Sequence, residues 1–298
     1  MQKTQAGDAL GRYADELIAM GPFASLKLGI DPSQTVLRLD TYNLACAPFR
    51  LGLKRAVLLC FLSRDELAFF QRYTGSLGGL ALSMQPADSQ KPLKIFARCT
   101  VVSIAPMKGR DNVGLVAVGW KPCPPDLAAA FVDYFALIER LKAEYDEYRS
   151  PAIPMNAETS KGMGYNSYAT IAAGGEPFKA ALFQLTSARL DFLLPMQAPE
   201  LEPKATVQVK LFFRKYQFTV AGAVAVVEKL PSGVRKAGVD AQFSPELVEL
   251  IRLALHRAPG RAAGAGPVRL IGPCRPWLAD GPRGRLPPFT GSASRRRS

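Results

Sequence analysis

Two stretches in the first third of the chain hold residue types that could grip a phosphate. Arg50-Leu-Gly-Leu-Lys54-Arg55 sets three cations within six residues, and Thr74-Gly-Ser76-Leu-Gly-Gly79 follows about twenty residues later. A guanidinium fork meets two phosphate oxygens at once, while a lysine offers only a point charge. A hydroxyl donates or accepts, and a glycine lets the backbone approach a ligand closely. On that chemistry Arg50, Lys54, Arg55, Thr74, Ser76 and Gly79 form a candidate anion cradle. A plainer reading stays open: a solvated basic edge, and a barrel-bending bulge at Gly78-Gly79.

Other chemistries lack material. The chain has one histidine, His256, so Ser-His-Asp, Cys-His and multi-histidine metal sites cannot be assembled. Its five cysteines, Cys46, Cys60, Cys99, Cys123 and Cys274, include no C-x-x-C pair, which argues for reduced thiols and a cytoplasmic protein. No enzyme activity, metal or cofactor is expected. No apolar run approaches the roughly 20 residues that span a bilayer, so membrane insertion is not expected either.

The elements that must position the cradle come as a repeat. An alternating run Lys94 to Ala105, a turn at Lys108 to Asn112, a strand from Val113 to Trp120 and a helix opening at Pro125 recur as Gln217 to Val227, Leu230 to Gly233, Ala237 to Phe243 and Pro245. We align Thr74 to Pro86 with Gln184 to Pro195 as the start of each copy. Alternating strands bury one face most simply by closing into a barrel, and a proline suits the first turn of each closing helix. Asp8 to Met20 predicts a short N-terminal helix, and the aromatic second half of the helix after Pro125 predicts a partner-facing surface. Thr35 to Asp40, Ala45 to Phe49 and Ala56 to Leu62 read as strands. Phe212-Phe213-Arg-Lys-Tyr216-Gln-Phe218 mixes rings and cations as single-strand nucleic-acid platforms do, and equally as an in/out strand does.

These landmarks divide the chain into residues 1–149, a Pro/Gly-bearing linker over 150–164, a second unit over 165–256 and a tail over 257–298. The formal charge is +13, and the tail's nine arginines against one aspartate supply +8 of it, leaving +5 for the preceding 256 residues. The tail's Gly/Pro/Ala/Arg composition predicts disorder, either as a basic arm or as a stretch read past a shifted frame.

The residues also resemble the PilZ domain, whose members are small antiparallel barrels that bind cyclic di-GMP through R-x-x-x-R followed by [DN]-x-S-x-x-G. Thr74-Gly-Ser76-Leu-Gly-Gly79 keeps the serine and final glycine with threonine at the first position, and Arg50-x-x-x-Lys54 stands for the arginine pair. In the second copy, Gln184-Leu-Thr186-Ser-Ala-Arg189 keeps a hydroxyl but puts arginine where glycine is expected, with Lys161 and Tyr165 at the distance of the arginine pair. This resemblance implies a mainly β fold of two PilZ-like barrels, each closed by a C-terminal helix. It also implies cyclic di-GMP as ligand, with Arg50, Lys54, Arg55, Thr74, Ser76 and Gly79 as its site and Lys161, Gln184, Thr186 and Arg189 as a degenerate second one. The expected role is a receptor or adaptor acting on a protein partner of the motility, surface-polymer or regulatory machinery, with ligand changing the angle between the barrels across the linker. The rival readings are a scaffold that binds no nucleotide and a nucleic-acid binder acting through its tail, although nucleic acid is not the expected partner.

Overall fold

The computed structural model describes residues 11–85, 92–214 and 217–257. The first half runs β1 (Ile18–Ala19), α1 (Pro22–Leu28), β2 (Ile30–Leu39), β3 (Tyr42–Leu51), β4 (Arg55–Phe61), α2 (Arg64–Gln71), β5 (Leu77–Met84), β6 (Leu93–Pro106), β7 (Val113–Trp120) and α3 (Pro125–Glu147). The second runs β8 (Ile153–Pro154), α4 (Ala157–Met163), β9 (Tyr165–Ala172), β10 (Phe178–Leu185), β11 (Arg189–Leu194), β12 (Thr206–Phe213), β13 (Gln217–Lys229), β14 (Arg235–Ala241) and α5 (Pro245–Arg257).

Each half closes six antiparallel strands into a barrel. Around the first barrel the order is β2-β3-β4-β7-β6-β5 and back to β2, and around the second β9-β10-β11-β14-β13-β12 and back to β9. The two rings have the same connectivity, strand for strand. Alternation drives the closure: Leu37, Leu39, Leu80, Leu82, Ala97, Cys99, Val116 and Val118 point inward in the first barrel, and Ala169, Ile171, Val207, Val209, Leu211, Val220 and Val239 in the second. Neighbours one position along each strand face out, so one face of every strand leaves water.

The repeat reaches further than the sequence indicated. Each barrel is preceded by a two-residue strand that pairs with its second strand, Ala19 opposite Arg50 and Ile153 opposite Leu185. Each then has a seven-residue helix that stops at a left-handed glycine, Gly29 (φ 66°) and Gly164 (φ 70°), a conformation glycine adopts without steric cost. Residues 150–164 therefore carry β8 and α4 as the opening of the second unit, where the prolines and glycines had suggested only a linker.

One landmark of the repeat requires correction. Gln184 to Arg189 is the turn from the second to the third strand of its barrel, so its counterpart is Leu51 to Arg55, between β3 and β4. Thr74 to Gly79 leads instead into the fourth strand, whose counterpart is β12. Between β4 and β5 the first barrel carries α2, fixed by a capping box in which Ser63 and Glu66 satisfy each other's backbone N–H groups.

Of the helix expected over Asp8 to Met20, residues 8–10 lie outside the described residues. Gly11 and Arg12 are helical, and a turn then leads to β1. The segment packs on the first unit as expected, with Tyr13 stacked on Phe135 at 4.6 Å between ring centres. The tail lies outside the described residues apart from Arg257. No helix among the described residues is long and apolar enough to cross a membrane.

The partner expected for the second half of α3 is the chain's own α5. A 23-residue helix is about 34 Å long. Its first part buries Leu127 and Phe131 in the first barrel, while Leu141 packs with Phe23 of α1 and Val248 of α5. Tyr145 donates its hydroxyl to the Ala241 carbonyl at 3.2 Å, and Ser187 donates its own to the Tyr145 carbonyl at 2.6 Å. Around this contact Lys27 meets Glu249 at 2.5 Å, and Arg252 meets Glu144 at 3.6 Å and Glu249 at 3.4 Å. The barrels are thus joined by a helix-on-helix contact as well as by covalent chain.

Candidate functional site

The turn that holds Arg50, Lys54 and Arg55 serves as a seat for the N-terminal segment. Gly52 lies against the Glu16 carbonyl, and its own carbonyl accepts the Trp120 indole N–H at 2.7 Å. Lys54 Nζ donates to Asp15 Oδ1 at 2.9 Å, and that hydrogen bond holds the Asp15 carboxyl below its ordinary value. Arg50 is exposed on β3, its guanidinium 5.5 Å from the Phe49 ring centre.

The other half of the expected cradle lies elsewhere on the barrel. Arg55 is opposite Gly119, Gly119 opposite Thr100 and Thr100 opposite Leu77. At the ordinary strand spacing the Arg55 and Leu77 backbones are about 14 Å apart around the sheet. Thr74 is exposed, and Ser76 is half-buried with its backbone N–H bonded to the Tyr73 carbonyl at 2.9 Å.

Gly79 is brought beside different cations. On the outer face it is opposite Arg38 of β2 on one side and Arg98 of β6 on the other. The Lys121 backbone N–H, 2.9 Å from the Arg98 carbonyl, adds a third basic residue to the row. A Cβ at Gly79 would collide with the edge of the Phe96 ring, which lies across it from β6 and is 62% exposed. Gly79 therefore makes room for that ring. Arg38 and Arg98 are exposed, and neither has a carboxylate partner among the described residues. The result is an open aromatic surface bracketed by two guanidiniums, of which Arg38 donates from Nε to the Asp40 carbonyl at 3.4 Å and neither meets a carboxylate among the described residues. Their outward direction follows from alternation along β2 and β6, but their meeting at Gly79 depends on β2 pairing with β5 across some forty residues of chain.

The second barrel differs in that its arginine is already held. Arg189 Nε donates to Asp191 Oδ1 at 3.0 Å, Nη1 lies 3.6 Å from Asp240, and the guanidinium rests on the bare backbone of Gly238. Asp191 is buried and also faces Lys236 at 3.7 Å. Thr186 Oγ1 accepts the Arg189 backbone N–H at 2.9 Å, and the Ser187 hydroxyl is committed to α3. Gln184 is half-buried in β10, Lys161 is exposed on α4, and Tyr165 is buried in the second core, where burial raises its hydroxyl above the ordinary value. The hydroxyls and the cation are used by the protein itself.

The four described cysteines are free, and Cys46 and Cys60 are directly opposite each other inside the first barrel. Its hydrogen bond to Cys60, and then burial, push the Cys46 thiol up, and burial moves Cys99 and Cys123 to about 11. No cluster of three metal-ligating side chains occurs among the described residues.

No family model matches the chain, and no curated protein matches it in sequence. Among solved structures it is similar to the PlzA protein of Borreliella burgdorferi in complex with c-di-GMP, at 13% identity over 85% of this chain and 99% of that one, with a TM-score of 0.44. It is also similar to the Bacillus subtilis inhibitor of motility MotI/DgrA, at 10% identity over 77% and 100% with a TM-score of 0.26. A third is YcgR from Escherichia coli in complex with c-di-GMP, at 11% identity over 80% and 91% with a TM-score of 0.26. With TM-scores below 0.5 these likenesses carry no weight for function, which rests on the chain's own residues.

Proposed function

We propose that this chain is a non-enzymatic signalling protein that receives cyclic di-GMP on the outer face of its first barrel and passes the signal to a protein partner of the motility, surface-polymer or regulatory machinery. The observation that supports this reading is the row at Gly79, where Arg38 and Arg98 flank the open Phe96 ring without acidic partners. A cyclic dinucleotide offers two phosphates for guanidinium forks and two flat purines for an aromatic or guanidinium face. The site expected at Arg50 and Lys54 is thereby moved to Arg38 and Arg98, while the Thr74 to Gly79 segment stays at its edge. The second barrel, with Arg189 neutralised, does not take the nucleotide.

Calorimetry of the full chain with cyclic di-GMP tests this. Arg98→Ala or Arg38→Ala should remove a charge-assisted contact and weaken binding by about 1.5 to 3 kcal/mol, roughly ten- to a hundred-fold. Arg50→Ala should leave it unchanged. Loss in Arg50→Ala with none in Arg98→Ala would return the site to the β3–β4 turn. No heat from the wild-type chain would favour the scaffold reading, for which Leu77 and Val102, 72% and 58% exposed on the same barrel, supply apolar contact area.

A further inference from the structure

We propose that the outer face of the second barrel binds single-stranded nucleic acid, with bases stacked on Tyr168 and Phe212 and phosphates at Lys179 and Lys210. The three phenylalanines of the ring-and-cation run, Phe212, Phe213 and Phe218, divide between the two faces of their hairpin. Phe213 and Phe218 turn inward and stack at 5.8 Å, whereas Phe212 turns outward to meet Tyr168 of β9, ring centres 5.1 Å apart at 36°. The two outward rings form one half-buried, half-open aromatic surface across the β9–β12 pair.

Cations flank that surface. Lys179 of β10 is opposite Thr170 of β9, and Thr170 is opposite Lys210 of β12. Each ammonium reaches a ring, Lys179 at 4.9 Å from the Tyr168 centre and Lys210 at 5.2 Å from the Phe212 centre. A base laid on either ring therefore brings its phosphate beside an ammonium. The outward residues of β9 and β12 around this point, Tyr168, Thr170, Ala172, Gln208, Lys210 and Phe212, include no carboxylate. Glu176 sits in the β9–β10 turn, beyond the strand end opposite the rings. Stacking rings with adjacent cations and no acidic residue suit a flexible polyanion whose bases are unpaired. A duplex hides its base faces, and an acidic peptide has none. Thr170, Gln208 and the neighbouring Thr219 offer hydroxyl and amide groups to any base, so the face suits binding that does not read sequence.

The test is fluorescence anisotropy of the full chain with a fluorescein-labelled twelve-nucleotide oligothymidylate at 0.15 M salt, together with photocrosslinking of the same oligomer carrying 4-thiothymidine. The double variant Tyr168→Ala/Phe212→Ala should lose at least ten-fold in affinity, and crosslinks in the wild-type chain should map to Tyr168 or Phe212. Lys179→Ala/Lys210→Ala, at an exposed and a half-buried position of the outer face, serves if the ring variant fails to fold. It should flatten the slope of log affinity against log salt by about 1.4. A twelve-base-pair duplex should bind more weakly than the single strand. Crosslinks confined to residues 257–298 with variants binding within two-fold of wild type would overturn the proposal in favour of the arginine tail, and equal affinity for duplex would overturn the stacking.

Discussion

Replacing Leu141 with alanine should loosen the two barrels from one another. Leu141 is fully buried in the last third of α3, in a small cluster with Phe23 and Val248 that is separate from both barrel cores. The change deletes three carbons, worth about 2.4 kcal/mol at roughly 0.8 kcal/mol per buried methylene. A cavity left between α1, α3 and α5 would add to this, although helices on a docking surface can partly close it, so we expect about 2.5 to 3.5 kcal/mol. At about 2 to 4 °C per kcal/mol for chains approaching this size, that is a fall of roughly 5 to 14 °C in melting temperature. Differential scanning calorimetry of the full chain provides the measurement. The wild-type chain should melt in one transition, and Leu141→Ala should split it in two as each barrel melts on its own. Leu127→Ala, in the first barrel core, should lower stability without the split. A Leu141→Ala chain that melts within 2 °C of wild type in a single transition would show that the helix contact does not couple the halves.

Gly238→Ala should push Arg189 off its seat and leave buried Asp191 without its 3.0 Å charge-assisted bond, costing about 1.5 to 3 kcal/mol by urea unfolding. If that contact is the cause, Gly238→Ala should cost far less in an Arg189→Ala background, and strict additivity would refute it. Alkaline conditions should weaken the fold. Burial holds Cys99 and Cys123 at about 11 and Tyr134 at about 12, so from about pH 9 upward the unfolded chain releases protons that the folded chain keeps. Stability measured at pH 7.5, 9 and 10.5 should fall in that order, and a flat profile would contradict the assignment.

The strands were legible because alternation is a local signal: Lys94 to Ala105 and Gln217 to Val227 each declare one buried face. The hairpins after them and the helices at Pro125 and Pro245 were legible for the same reason. Closure into a barrel was legible from the same need to bury one face, but which strands meet was not, because β2 finds β5, and β9 finds β12, across distances that no residue pattern encodes. Helices α1 and α4 were hidden by brevity, since seven residues give no periodicity and their stop glycines resemble linker glycines. The candidate site followed the same division. Gly79 was picked out, but its partners Arg38 and Arg98 became visible only through register. Of Arg50, Lys54 and Arg55, Lys54 is the one engaged by the N-terminal segment, through Asp15, a contact that no local pattern announces. The outward turn of Phe212 was one of two phases of an alternating run, and Tyr168 had nothing in sequence to join it to.

The chain reads as one architectural phrase stated twice, with its seam at residues 148–152, between the end of α3 and the start of β8. Among the described residues every strand-to-strand pairing closes within its own half. What crosses the seam is the short covalent segment, a few hydrogen bonds from Ser187 and Tyr145, and the side chains where α1 and α3 meet α5. The grip of one half on the other can therefore be retuned by surface substitutions on those helices while both barrels keep their registers. Mutual orientation and barrel integrity are separately heritable traits of this molecule.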